Sequence, residues 1–316
     1  MKTEQTTMSN GRIILAGGSG FLGRLLEKTF AGQGCEVIFL TRSPRRANDV
    51  LWDARTLGEW EKRLDGAAAV INLTGRSVNC RYNETNRRLI LESRVLSTKV
   101  IGEAIRRCAK PPPVWLNAST GTIYKHSFDR DMDEGGEMAA DKDAKDEFSV
   151  AVAQAWEGAL NEAAVPGTRK IALRMSMVFG VEQGTVYRVL RRLARWGLGG
   201  AMGSGRQMVS WIHEEDFCRA IQWILSHENL TGPVNVASPG PVNNRELMAT
   251  TRRVVGAPFG LPAAQWMLEI GAFLLRTETE LMIKSRRVLP KKLLDSGFEF
   301  RFPRLENAMK EIERRL

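Results

Sequence analysis

Residues 12–23 read RIILAGGSGFLG. Arg12–Ala16 is an apolar stretch with strand character, and Phe21–Ala31 carries the apolar stripe of a helix. Between them, the first, fourth and seventh residues of Gly17-Gly18-Ser19-Gly20-Phe21-Leu22-Gly23 form G-x-x-G-x-x-G. Such a turn lets bare backbone approach a pyrophosphate while the amides at the helix start face the anion. A glycine pattern alone is weak evidence. One that follows a strand, opens a helix and precedes a second strand, here Glu36–Leu40, is specific. The alternative is a tight turn with no ligand.

Outward from this loop the chain alternates strands and helices. Ala68–Leu73 and Val114–Ala118 are apolar throughout, as central parallel strands are. A helical pattern fills Asn83 to Cys108 and is stopped by Pro111-Pro112-Pro113. Phe148–Ala164 is a further helix and Lys170–Arg174 a further strand. The alternation predicts an α/β fold, a Rossmann-type doubly wound parallel sheet, over residues 12–180. After Gly180 the pattern changes. Glycines crowd Gly197 to Gly205, and Val209–Ile212 and Val234–Ala237 read as short isolated strands. Residues 181–260 are expected to form a smaller substrate-side lobe, and 261–316 a small C-terminal helical domain.

The chain has 316 residues, 43% hydrophobic and 26% charged, which argues against disorder. Its most apolar late stretch, Leu261–Leu275, is interrupted by Gln265 and Glu269 and reads as a buried helix, not a membrane span. The N-terminal residues have no apolar core of a signal peptide, so the expected compartment is the cytoplasm. The four cysteines, at 35, 80, 108 and 218, show no Cys-x-x-Cys spacing, and with three histidines no metal site or disulfide framework is expected. Net charge is +10, but the basic pairs are scattered and not interleaved with aromatics. Solvated faces and an anionic cofactor explain the surplus without nucleic acid.

The second strand ends at Leu40-Thr41-Arg42-Ser43. A site that prefers NADH places Asp or Glu there, for the adenine ribose. Here no acid stands at that point, and Arg45 and Arg46 follow Arg42. A guanidinium grips a 2′-phosphate that a carboxylate would repel, so NADPH is expected over NADH. Leu73-Thr74-Gly75 closes a central strand at the sheet edge where ligands sit. Gly17, Ser19, Gly20, Phe21, Leu22, Gly23, Thr41, Arg42, Leu73, Thr74 and Gly75 are therefore expected around the cofactor. Arg94, in the helix after that strand, either reaches the pyrophosphate or ribose or makes a surface ion pair.

GGSGFLG, LTRSP, AAVINLTG, ESRVLSTKVIGEAI and NASTGTIY resemble the extended short-chain dehydrogenase/reductase superfamily. GLGGAMGSGRQMVSWIHEEDF, GPVNVASPGPVNNREL and RVLPKKLLDSGFEFRFPRLENAM narrow the resemblance to its epimerase family proteins, NAD-dependent epimerase/dehydratases that end in a small domain of unknown function. The resemblance covers about residues 12 to 312. It implies a Tyr-x-x-x-Lys pair, with the tyrosinate as acid/base and the lysine lowering its pKa and holding the nicotinamide ribose. None of the three tyrosines has a lysine four residues on, and Val152 and Trp156 fill the two positions. Ser119 and Thr120 match the superfamily's Ser/Thr region. Tyr124 matches a strand-end Tyr-Gly motif with Lys125 in place of the glycine. The resemblance also implies backbone at Met177-Val178 beside the nicotinamide.

Thr120, Ser119 and Tyr124 are the candidates for polarising a substrate. Arg206 is read as holding an anionic substrate group and Trp211 as covering a flat one, against a plain glycine-rich crossover. His213 and Asp216 read as a structural hydrogen bond and a helix-start acid. The arginine face of Thr185–Trp196 reads as solvated, and Trp52-Asp53 either touches adenine or forms a core tryptophan with a turn acid. Two functions fit: an NADP(H)-dependent oxidoreductase acting on a small molecule with an atypical acid/base arrangement, or a dinucleotide-binding sensor that has lost turnover.

Overall fold

The computed structural model describes residues 11–264, 266 and 284–316. Most of the expected Leu261–Leu275 helix, and residues 1–10, lie outside them. Among the described residues no helix is long and apolar enough to cross a membrane.

Strands β1 (Arg12–Ala16), β2 (Glu36–Thr41), β3 (Asp49–Leu51), β4 (Ala69–Asn72), β5 (Val114–Thr120), β7 (Arg169–Met175) and β11 (Gly232–Val236) form a seven-stranded sheet in the order β11-β7-β5-β4-β1-β2-β3. Every pairing in it is parallel. The chain runs from β1 outward to β3, then crosses to β4 and builds the other half. The crevice between β1 and β4 is thus the switch point where α/β sheets bind ligands.

Parallel sheets need cover on both faces, and two apolar clusters supply it. On one face α1 (Phe21–Ala31) buries Leu26 and Phe30 against Ile13, Leu15 and Phe39. On the other, α2 (Glu84–Arg107) buries Val100, Ile101 and Ile105 against Ile14, Val70 and Trp115. The Asn83 side chain caps α2 by accepting from the Asn86 amide. Helix α3 (Glu147–Glu162) packs beside α2.

The expectation of isolated strands after Gly180 needs correction at one of them. Gly232–Val236 is the edge strand of the main sheet, in register with Ile171–Met175. The chain therefore leaves the sheet at β8 (Met177–Phe179), builds a lobe that includes β9 (Met208–Val209), and returns. The lobe core joins Phe179, Trp211 and Met248 to Leu305, Met309 and Ile312 of the last helix, Leu305–Arg314. The C-terminal segment is thus part of this core. It also forms a separate two-stranded sheet, in which Arg287–Val288 pairs with β6 (Asp131–Met132), and its Lys284 ammonium donates to the Thr122 carbonyl (2.8 Å) and pairs with Asp146.

Candidate functional site

A cleft of about 1000 Å³ opens at the switch point. The phosphate loop (Gly17, Ser19), the end of β2 (Thr41, Arg42) and the end of β4 (Leu73, Thr74, Gly75) line it.

The three glycines of the G-x-x-G-x-x-G pattern do three different things. Gly17 has φ +70°, and a Cβ on it would lie 2.7 Å from the Thr74 backbone. A Cβ on Gly23 would lie 2.0 Å from the Gly18 carbonyl oxygen, so only glycine lets α1 press onto the loop. A Cβ on Gly20 would meet no protein atom within 4 Å. The notch above Gly20 is open, and helix α1 starts there with no side-chain cap and no acid in its first turn. Its first amides keep their positive potential for a ligand. At the other end of the turn the Thr74 hydroxyl, 2.7 Å from the Gly17 Cβ position, is buried and makes no hydrogen bond among the described residues. An anion-receiving notch with a spare hydroxyl suits a pyrophosphate.

The arginines behind the loop divide. Arg46 pairs with Glu27 (2.8 Å) and Asp49 (3.1 Å), and its guanidinium lies over the Phe39 ring. Arg42 and Arg45 are exposed on the cleft wall, with no carboxylate partner among the described residues. Asp49 accepts from the Arg45 and Arg46 amides (2.8 and 3.1 Å) and so orders the arginine loop. Asp53 lines the cleft but accepts the Arg55 and Thr56 amides, and Trp52 is core, edge-on to Trp60. Arg94 is half-buried behind Gly75. Burial lowers its pKa to about 10.

The edge at β5 and α3 is wired differently. The buried Ser119 hydroxyl donates to Glu157 (2.6 Å), and Glu157 also accepts from Arg174 (2.8 and 2.7 Å). Arg174 donates to the Tyr124 hydroxyl (3.0 Å), which donates to Asn235 (2.8 Å). Tyr124 is 0% exposed, and burial pushes its pKa up to about 12. Ser119 and Tyr124 are therefore struts inside the wall. Only Thr120 of the three candidate hydroxyls is partly exposed, donating to Thr122 Oγ1 (3.0 Å). Val152 and Trp156 are buried; the Trp156 indole donates to Thr98 (3.1 Å).

A family model described as the NAD dependent epimerase/dehydratase family matches residues 13–237, and a domain of unknown function, DUF1731, matches 263–312. The chain belongs to the NAD dependent epimerase/dehydratase family. Similar members include the epimerase family protein YfhF of Bacillus subtilis, 30% identical, with 95% of this chain and 97% of that one covered. The human epimerase family protein SDR39U1 is 29% identical, with 95% and 99% covered. The crystal structure of its isoform 2 with NADPH superposes with a TM-score of 0.83 at 27% identity, over 96% of this chain and 100% of that one. The family assignment agrees with the resemblance carried by the motifs.

In this family member the lobe residues depart from the sequence reading. Trp211 is not a substrate cover: it is 0% exposed, stacks on Phe179 with centroids 5.9 Å apart, and donates to the Gly240 carbonyl. Its three-residue strand, β10 (Trp211–His213), is held in parallel pairing on β8, with Ile212 opposite Val178, and that directs the indole inward. Arg206 is exposed, with its guanidinium over the Phe128 ring. His213 caps the next helix by accepting from the Glu215 amide and bonds Glu311 (2.8 Å), while Asp216 accepts the Arg301 and Phe302 amides. Both clamp the C-terminal segment.

Three features escaped the sequence reading. Glu157 and Arg174 form a buried ion pair, whose only local signal is an ionic group beside apolar neighbours, Trp156 and Leu173. Arg24 of α1 pairs with Glu182, tying the phosphate helix to the lobe. The Ser176 hydroxyl, in the turn between β7 and β8, is buried without a hydrogen bond among the described residues.

Proposed function

We propose that this chain is an NADP(H)-binding oxidoreductase of the epimerase/dehydratase type that acts on a small, anionic molecule. The observation that carries this reading is the uncommitted Arg42 and Arg45 pair on the wall of a cleft that the phosphate loop lines through Gly17 and Ser19. The NADPH in the human relative's crystal structure supports it. The amides of Gly17–Gly23, with Ser19, Phe21, Leu22 and the Thr74 hydroxyl, hold the diphosphate, and Thr41 and Arg42 hold the 2′-phosphate. Leu73, Gly75 and Arg94 continue the wall, and the Val178 backbone borders the nicotinamide. A bound nicotinamide dinucleotide supplies hydride donation or acceptance. Thr120 polarises the substrate, and Arg206, exposed at the lobe, attracts its anionic group.

Calorimetry with NADPH and NADH tests the reading. Arg42→Ala should weaken NADPH about tenfold, the loss of one charge-assisted contact, and leave NADH nearly unchanged. Equal affinities of the wild type for the two nucleotides, or no saturation by either, would overturn it.

A second reading, a dinucleotide-binding sensor without turnover, is favoured by one observation: Val152 and Trp156 are buried where the acid/base pair would stand. NADPH oxidation in the presence of pooled carbonyl metabolites separates the two. Tight NADPH binding with no oxidation by any pool supports the sensor.

A further inference from the structure

The lysine missing from α3 has two duties in the resemblance drawn above, tuning a tyrosine and holding the nicotinamide ribose. Trp156 stands in its place, and the Arg94 guanidinium lies over the Trp156 ring, 5.0 Å from the centroid. A guanidinium over an indole face is held by cation–π attraction and by stacking of two planar groups. The indole is fixed in turn, since its N–H donates to Thr98 (3.1 Å) on the same helix as Arg94.

One end of the guanidinium is committed. Arg94 Nη1 donates to the Ile90 and Arg76 carbonyls (3.0 and 3.1 Å). No carboxylate pairs with Arg94 among the described residues. The guanidinium lies directly behind the cleft wall: a Cβ on Gly75, which lines the cleft, would lie 3.2 Å from its Cζ and 3.3 Å from Nη2. Gly75 borders the cleft, one residue beyond the Thr74 backbone that touches Gly17. A half-buried cation without an anion is a costly arrangement in the free protein. Its Nη2 and Nε, 3.3 and 3.5 Å from that Cβ position, are the donors nearest Gly75.

We infer that Arg94, propped on Trp156, replaces the binding half of the missing lysine: it grips the nicotinamide-side phosphate and ribose oxygens of the dinucleotide. Trp156 is its positioning residue. The proton-tuning half of the lysine's work is not replaced, since an arginine stays charged throughout the working pH range. This inference rests on the cofactor reading above and deepens it. It gives α3 a cofactor-binding role even though α3 carries no acid/base pair.

The test compares three ligands, NADPH, NADH and 2′,5′-ADP, by calorimetry on the full chain. The last carries the adenine half alone. Arg94→Met is expected to weaken NADPH and NADH by the same factor, about tenfold, as one lost charge-assisted grip does. It should leave 2′,5′-ADP within about twofold, whereas Arg42→Ala weakens NADPH and 2′,5′-ADP and spares NADH. Trp156→Ala should reproduce Arg94→Met, and the double variant should bind no worse than either single one, because the two act as one unit. Trp156→Phe retains a ring face and should retain most of the affinity, which separates loss of the prop from misfolding. Wild-type affinity in Arg94→Met, or an equal weakening of 2′,5′-ADP, overturns the inference. If Arg42→Ala still discriminates in that case, the cofactor reading stands without it. A wild-type protein that binds none of the three ligands overturns both.

Discussion

At the phosphate-loop edge of the cleft, the Thr74 hydroxyl, the first amides of α1 and the Arg42 and Arg45 guanidiniums have no carboxylate or capping partner among the described residues. At the edge formed by β5 and α3, Ser119, Glu157, Arg174, Tyr124 and Asn235 satisfy one another in a continuous buried chain. A buried polar group left unpaired, such as the Thr74 hydroxyl, costs free energy until something pairs it, the exposed guanidiniums are held only by water, and groups paired internally do not need a ligand. The first edge is built to receive, and the second to hold its shape. Substitutions at the first should thus change affinity, and at the second stability.

The largest effect is expected at the second edge. Glu157→Leu leaves the Arg174 guanidinium buried without its partner. Breaking a buried pair from one side costs about 3–5 kcal/mol, to be read from urea unfolding. NADPH affinity of the folded fraction should stay within about twofold. A normal melt with lost affinity would reverse the comparison.

Next comes Gly20→Val, where the side chain enters open space and meets no protein atom. Stability should change by about 1 kcal/mol or less, the scale of an altered helix cap. NADPH affinity should fall roughly ten- to hundredfold, because the isopropyl group takes the volume meant for the ligand. Unchanged affinity would mean that the notch is not the phosphate seat.

Tyr124→Phe is smaller again. It removes the hydroxyl between Arg174 and Asn235 and should cost about 1–3 kcal/mol in unfolding, as an unpaired buried polar group does. Any turnover found with a carbonyl substrate should survive it. A loss of activity of about a thousandfold with an intact melt would make Tyr124 the acid and collapse the distinction between the edges.

These asymmetries explain what the sequence could and could not show. The phosphate loop was legible because strand, glycine turn and helix are contiguous and Gly23 answers to Gly18 within the turn, although the approach of Thr74 to Gly17 is long-range. The arginine step at Thr41-Arg42 was legible for the same reason, although only the packing of Arg46 against Glu27 and Asp49 shows which arginines stay uncommitted. Trp211 was misread because an aromatic next to a glycine-rich loop gives no sign of which way its strand faces. Its pairing with β8, from a segment some 30 residues away, decides that. The Glu157–Arg174 pair and the seating of Lys284 under Thr122 are long-range contacts, made only once the sheet has brought distant segments together. Val234–Ala237 reads as an isolated strand for a similar reason, since the partner of the strand it overlaps, β7, lies before the whole lobe.

The smallest effect concerns acid, and it extends the comparison to the lobe. Burial holds the His213 pKa below its ordinary value, despite the Glu311 carboxylate, and burial does the same to His126. A lowered pKa means that the unfolded chain takes up a proton that the native protein refuses. The stabilisation is therefore present above the ordinary histidine range, about 6.5, and is lost as pH falls through the folded value. Stability should decline on acidification from about pH 6.5 downward. His213→Asn retains the cap on the Glu215 amide, because asparagine is a good helix N-cap, but removes one titrating ring. Urea midpoints measured across this range should then fall less steeply, with the residual slope including His126. No histidine lines the phosphate-loop cleft, so the ratio of NADPH to NADH affinity should change far less than stability over the same interval. The second ionisation of the 2′-phosphate, which titrates near pH 6, sets the part of that change that no protein group causes. An unaltered slope in His213→Asn would mean that the clamp on Glu311 does not contribute to acid sensitivity, and the lobe would then rank with the phosphate loop as insensitive to protons.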